Sequence, residues 1–457
     1  MLNWIEKING FVWGPPTLLL IFATGVFLSI KTGFAQLRML PAALRGLAER
    51  IKCRNSSGGT SSYRALCTAL AATVGTGNIA GVAGAIAIGG PGAIFWMWVC
   101  AFLGMIVKFA EAALSVAYRK KNSSGEFVGG PMYMIANALP KGQWLAYIYC
   151  FFGAVASFGV GNGTQINAVI GGVHSVSQFL GRSTSRWIDV LIGIVIAFLI
   201  LRMMLGGTKK IGSAVEQLVP FAAVGYIILC IIVIAGCYQN IPKAVKLILY
   251  GAFNPGAICG GVIGSAFVAL RVGVSRGIFT NEAGLGTAGI AHASADVNHP
   301  VEQGLMGIVE VFLDTIVICT MTALVILCSG IPINYGEDTG ILLTLEAFSA
   351  VMGDWVVIPI TLALVCFATA TIFGWGFYGI RCVQFLFGEN SWRPFVYLQA
   401  IIAVISALMG TGMIWTMAEI INGLMAVPNL IVLAYLVPKL LKLIKSYELE
   451  RFSKRIN

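Results

Sequence analysis

Charge is what this sequence is short of. Only 11% of its 457 residues are Asp, Glu, Lys or Arg, while 58% are hydrophobic. A soluble domain carries about a quarter charged residues, and too few are present here to cover a surface facing water. Lipid as the solvent removes that difficulty. Histidine is scarcer still: His174, His292 and His299 are scattered near the ends of apolar stretches and offer neither a metal cluster nor a catalytic triad. The 11 cysteines include no CxxC pair and lie mostly inside apolar stretches, which points away from zinc or redox chemistry and toward reduced, packed thiols. TVGTGN at 73–78 lacks the lysine of a phosphate loop, so nucleotide binding has no motif. Residues 1–10 lack a basic run, the lone Lys7 following Glu6, so no cleavable leader is expected and the first apolar stretch reads as a retained helix.

What is present is a ladder of apolar runs of about 20 residues, the length a membrane-crossing helix needs. They lie at 11–30, 65–90, 92–118, 143–174, 187–206, 216–237, 256–280, 303–329, 355–387, 394–411 and 413–438. The fold class expected is an all-α polytopic membrane protein of eleven transmembrane helices, with the lipid bilayer as its partner. The net charge of +11 would suggest nucleic acid in a soluble protein. Here the basic residues sit between spans and report orientation instead. An N-terminus outside and a C-terminus in the cytoplasm place 24 basic residues, Arg271 and Arg276 among them, inside against 5 outside. That split selects this orientation in the cell (inner) membrane. Segments 241–253 and 341–353 are apolar but short and read as surface helices. The tail, 439–457, reads as a basic amphipathic helix along the anionic inner leaflet, or as a partner-binding helix.

Two spans carry interruptions. In ALAATVGTGNIAG, 69–81, Gly75, Thr76, Gly77 and Asn78 sit inside an apolar run. Each glycine weakens a helix by about 1 kcal/mol. Unpaired backbone cannot face lipid, so a break there must line a cavity. Its second half would offer free N–H groups to a carboxylate, while the carbonyls ending the first half, Ala71 to Val74, would face a cation. Small-residue packing through Gly77, Gly81 and Gly84 is the competing reading. The seventh span holds a second glycine-rich stretch from Gly260 to Gly273, five spans later. Corresponding interruptions in two halves of opposite polarity predict an inverted repeat. The divisions expected are 1–62, an extra helix and a basic cytoplasmic segment; 63–237, the first five-helix repeat; 238–438, the second; and the tail.

Residues 89–104, GGPGAIFWMWVCAFLG, resemble the signature run of the alanine or glycine:cation symporters, also called sodium:alanine symporters. ATVGTGN (72–78) and RGIFTNEAGLGTA (276–288) are similar to two further blocks of that family. The resemblance, spanning about 60–430, implies the leucine-transporter fold and symport of a small neutral amino acid, alanine or glycine, with sodium as the coupling ion (or a proton) and no other cofactor. It implies a substrate site of Thr73, Gly75, Thr76, Gly77, Asn78, Gln165, Phe267, Thr371 and Trp375, with Phe279 a rival to Phe267. It implies a sodium site of Ala71, Val74, Ala368, Thr369 and Thr371. Residue by residue, blander readings stay open. Gln165 could make an interhelical hydrogen bond, Trp375 could pack, and Thr369 and Thr371 could bond to i−4 carbonyls. Gly374 and Gly376 would leave Trp375 room to move. Glu310 and Asp314, at i and i+4 in the eighth span, could relay protons, orient a cation or form a gate. Lys108 and Glu111 are expected to pair with each other, and Arg276 with Glu282 as an inner gate; Glu419 has no assigned role. A proton-coupled carrier of another solute, a pore and a membrane-embedded enzyme are the alternatives. Oligomeric state is not readable.

Overall fold

The structure, a computed structural model, describes residues 2–52, 60–261, 265–337 and 340–456. Within these the chain is helical apart from a two-stranded hairpin, Lys120–Lys121 with Phe127–Val128. The membrane helices are α1 (Pro15–Lys31), α2a (Ser62–Thr73), α2b (Ala80–Gly89), α3 (Gly92–Ala117), α4 (Gln143–Phe158 and Thr164–Phe179), α5 (Arg186–Met204), α6 (Thr208–Gly236), α7a (Ala266–Asn281), α7b (Thr287–His292), α8 (Pro300–Cys328), α9 (Val357–Phe387), α10 (Trp392–Ser406) and α11 (Thr411–Tyr435). Among the described residues, eight continuous stretches are long and apolar enough to cross a membrane. The other three of the eleven expected crossings are the broken α2 and α7 and the 15-residue α10.

The break in α2 falls where the glycines sit. Val74 and Gly75 are extended (ψ 94° and −153°), Thr76–Asn78 make one tight turn, and α2b begins at Ala80. In α7 the structure corrects the expectation. Helix α7a runs unbroken through Gly273 to Asn281, and the interruption follows at Glu282–Gly286, where Glu282, Gly284 and Gly286 all take positive φ. The glycines at 260 and 261 form a turn ahead of α7a, and 262–264 lie outside the described residues. The α7 crossing is therefore shifted toward the C-terminus relative to 256–280.

That shift gives the two breaks one geometry. Helix α2b packs on α7a, and α2a packs on α7b, so the broken helices run antiparallel with their breaks side by side. Gly89 approaches Val272 at one end; Ser62 lies near His292 and Gln303 at the other. Arg271 and Arg276 consequently sit at the Gly89 end, beside Ile88 and Glu419, not at the Ser62 end. This moves two of the 24 basic residues across and leaves the bias intact.

Segment 341–353 is also more than a surface helix. Ile341–Met352 buries one face, and the Thr344 hydroxyl donates to the Ile79 carbonyl at the α2 break. Helix Leu2–Val12, ahead of α1, packs on α11. The tail helix, Val437–Ile456, buries Leu440 and Ile444, and Glu448 pairs with Arg38 at 3.1 Å.

Candidate binding site

The extended turn at the α2 break is closed by its own side chain. The Gly75 N–H donates to Asn78 Oδ1 at 2.8 Å instead of to Ala71, and the Thr76 N–H donates to Gln165 Oε1 at 3.4 Å. The last helical bond of α2a is Val74 N–H to the Leu70 carbonyl, so the carbonyls beyond Leu70 lose their i+4 donors. On the other side, the amides of Gly77, Ala80, Gly81 and Val82 have no acceptor among the described residues. One break thus places carbonyl ends and amide ends within a few residues, each carrying the partial charge of a helix terminus.

Gln165 follows a widened turn at Gly159–Gly163 in α4, which carries it to the break. Such wide turns recur at functional sites because they re-aim a side chain without ending the helix. Helix α9 crosses close by. A Cβ on Gly374 would stand 2.8 Å from the Ala72 nitrogen, and one on Gly75 would collide with Thr371 Oγ1. The glycines flanking Trp375 are therefore taken up by close approach, Gly374 to α2a and Gly376 to Met204, and leave the ring no slack. Trp375 is fully buried. The hydroxyls of Thr371 and Thr76 are buried without a hydrogen-bond partner among the described residues, and buried polar atoms left so are uncommon.

These placements sort the expected residues. Gly75, Thr76, Gly77, Asn78, Gln165 and Thr371 surround the α2 break; Trp375, one turn beyond Thr371 in α9, has its Cβ against Gly161 and its indole toward Glu282. Ala71 and Val74 end α2a beside it, and Ala368 shares a face of α9 with Thr371. Three residues are not brought in. Phe267 starts α7a and is 49% exposed; Phe279, within one turn of the second break, is buried against Gly77 and Trp415, its ring 4.9 Å from that indole. Thr369 lies 200° around the helix from Thr371, half-buried, its hydroxyl donating to the Val365 carbonyl at 2.7 Å. Thr73 turns its hydroxyl back onto the Ala69 and Leu70 carbonyls.

Asp314 was an intramembrane carboxylate of open role. It stands in a widened turn of α8, Phe312–Cys319, and ties the two breaks together. Asn78 Nδ2 donates to its Oδ1 at 2.6 Å and Thr315 Oγ1 to its Oδ2 at 2.7 Å. Asn281 Nδ2 donates on to Thr315 Oγ1, and Asn281 Oδ1 accepts the Ala283 N–H inside the second break. The expected pairs dissolve. Lys108 contacts Glu310 at 3.1 Å, and Glu111 accepts the Gly284 and Gly286 amides and Asn429. Arg276 pairs with Glu419 at 3.5 Å and stacks on Trp415, while Glu282 accepts the Thr287 hydroxyl.

Two cavities approach the breaks from opposite ends. One of 640 Å³ opens beside Ala80, Asn167, Arg276, Trp415 and Glu419. The other, 530 Å³, is lined by Arg64, Lys121, Glu126, Lys209, Asp296 and Arg381. The Phe279–Trp415 stack lies between the first and Gly77. The pairs Arg64–Glu216 (2.8 Å) and Arg381–Glu126 (2.9 Å) lie at the second.

The family model of the sodium:alanine symporters matches residues 1–456. This chain belongs to that family. It is a multi-pass membrane transporter, not an enzyme. It is 43% identical over 433 residues to the sodium/alanine symporter AgcS of Methanococcus maripaludis, covering 93% of each chain. A probable sodium/glutamine symporter of Bacillus subtilis, GlnT, is 35% identical over 96% of this chain and 89% of its own. Among solved structures, MhsT in complex with L-phenylalanine superposes with a TM-score of 0.60 at 13% identity, covering 84% of this chain and 90% of that one. The likeness places the symporter in the leucine-transporter fold, with five-plus-five inverted repeats and one added N-terminal helix.

Proposed function

We propose that this symporter imports alanine or glycine together with sodium. The observation that carries the reading is the α2 break, where free amides and free carbonyls lie side by side against Gln165 and Thr371. The substrate carboxylate takes the amides at Gly77 and the start of α2b, where the helix dipole favours an anion. Its amino group lies toward the carbonyl end of α7a. Sodium takes the Ala71 and Val74 carbonyls with Thr371 Oγ1 and the Ala368 carbonyl, a set of neutral oxygens suited to a hard monovalent cation; the buried, unpartnered Thr371 hydroxyl fits that role. Thr371 and Gln165 crowd the space beside Gly75 and Phe279 that beside Gly77, which favours a substrate with a hydrogen or methyl side chain over a longer one. The excess of basic residues toward the Ser62 end supports a cytoplasmic position for it, with the Phe279–Trp415 stack closing the outer side. The repeats take 63–237 and 238–438, flanked by 1–62 and 439–457.

Uptake of labelled alanine into proteoliposomes, with and without an imposed inward sodium gradient, tests this. Saturable uptake that requires the gradient is expected, and Gln165→Ala and Thr371→Val should each weaken it at least tenfold, the equivalent of about 1.4 kcal/mol. Gradient-independent uptake would reject sodium coupling, and wild-type kinetics in both variants would reject the site.

A further inference from the structure

Helices α3, α7, α8 and α9 bury more carboxylates than the site described above uses. Glu111, Glu282, Glu310 and Asp314 are each 1% exposed or less. The described residues set one ammonium among them, Lys108, against Glu310. His292 lies between Gln303, 2.7 Å from its Nδ1, and Glu310, 3.0 Å from its Nε2. Even with a charge on that ring, four carboxylates would face two positive groups, a surplus of negative charge in an interior that tolerates little. A further positive species must share the cluster.

A metal ion does not suit the place. No three of its acidic, histidine or cysteine side chains converge on a common point among the described residues. The carboxylate oxygens are met by donors: Gly284, Gly286 and Asn429 on Glu111, Asn78 and Thr315 on Asp314, Thr287 on Glu282. Donors directed at these oxygens crowd out a metal ion, whereas a proton needs only one carboxylate lone pair that no donor occupies.

Glu282 caps the carbonyl end of α7a, the end toward which the substrate's amino group is proposed to lie. It ends α7a in the left-handed region, φ 54°, which residues other than glycine seldom occupy. Trp375 of α9, one turn beyond Thr371, faces it, as does the Tyr378 hydroxyl; both are fully buried, and neither polar atom closes a hydrogen bond among the described residues. Lys108 on α3 and Glu310 on α8 face it as well, with Glu111 beyond, bonded to the next amides of the break. We propose that Glu282 is a proton-binding site of the empty carrier, and that entry of the substrate's amino group beside it displaces the proton. The carboxylic acid becomes a carboxylate, its proton leaves to water, and the ammonium supplies the charge the proton gave. This rests on the substrate reading above and adds a second, counter-moving cation to it.

The test uses the purified full-length carrier in saturating sodium, weakly buffered, with a pH indicator and alanine as the probe. Alanine should release protons in proportion to occupancy. The affinity for labelled alanine should strengthen with rising pH over some part of the range from about 5.5 to about 8.5, by at most tenfold per pH unit. Glu282→Gln should bind alanine with an affinity that does not change with pH and should release no proton. Proton release that persists in Glu282→Gln overturns the assignment. Should that variant fail to fold, the wild-type measurement decides alone: alanine binding without proton release at any pH in the range overturns the inference and leaves the substrate reading standing. No alanine binding at all overturns both.

Discussion

Exchanging one NH2 for one oxygen at the α2 break, Asn78→Asp, keeps every carbon in place and turns the donor that meets Asp314 Oδ1, the Asp314 carbonyl and Cys319 Sγ into an acceptor. Oδ1 can still accept the Gly75 N–H at 2.8 Å, but the donor at 2.6 Å from Asp314 Oδ1 becomes a second carboxylate oxygen. With both groups ionised about 3 Å apart, an effective dielectric of about 20 gives roughly 5 kcal/mol of repulsion. Protonating an ordinary aspartate at neutral pH costs about three pKa units, or ~4 kcal/mol. Proton uptake is therefore the cheaper outcome near neutrality, and the pair shares one proton as neighbouring carboxylates do. The balance turns over where the two costs meet, about pH 7.5 by the same figures. The proton is bound below that point and lost above it, so the variant's stability and uptake should fall as pH rises through it. Asn78→Ala, which removes the bond without adding a charge, should be impaired at every pH. Alanine uptake and thermal unfolding in detergent, measured from about pH 5.5 to 9, read both. An Asn78→Asp profile parallel to that of Asn78→Ala would refute the contact with Asp314 as the link between the breaks.

Phe279→Ala removes the stack on Trp415 and opens a buried space; a loss of 3–5 kcal/mol is typical of such a truncation, and uptake should show an alanine KM raised at least tenfold, while Phe267→Ala at its exposed position leaves KM unchanged. Gly75→Ala sets a methyl against Thr371 Oγ1 and, 3.4 Å away, Gln165 Oε1. The overpacking cost of about 1–3 kcal/mol should lower the unfolding temperature, and adding Thr371→Ala should restore it without restoring sodium-dependent uptake.

Much of this architecture is legible without coordinates because lipid imposes it. A Gly-Thr-Gly-Asn run inside an apolar span has few outcomes, and the structure breaks α2 there. The second break was misplaced for an instructive reason. Glycines are dense at Gly260–Gly273, but those within α7a close on neighbours, Gly273 against Ala93 and Trp96. They serve helix contact and leave the helix intact. The stronger signal was Asn-Glu-Ala-Gly-Leu-Gly at 281–286, where a carboxylate and two glycines leave little reason for a helix to continue. Phe267 follows from the same displacement, since moving the break 20 residues along brings Phe279 to the site. Thr369 could have been set aside from sequence, because two residues along a helix is 200°. The partners of Lys108 and Arg276 could not be assigned that way. Each pairs with a carboxylate far along the chain, Glu310 on α8 and Glu419 on α11, and spacing along one helix carries no information about such contacts.

The magnitudes also say where alternation between states must be decided. Moving a carrier from mostly one state to mostly the other takes a ligand preference of about 10⁴-fold, or 5.5 kcal/mol. The ion pairs at the Ser62 end, Arg64–Glu216 and Arg381–Glu126, stand beside an open cavity with arginine or carboxylate partly exposed. Pairs of that kind contribute up to about 1 kcal/mol each, too little to hold or release the closure. Hydrogen bonds to charged groups in the buried site contribute roughly 1.5–3 kcal/mol apiece, and two or three of them span the requirement. Gly75 against Thr371, Thr76 against Gln165, and Asn78 against Asp314 join α2 to α9, α4 and α8 at one point. A bound cation and a bound carboxylate there act on all three junctions at once, and α2a, joined to α2b through two extended residues and one tight turn, is the element placed to respond.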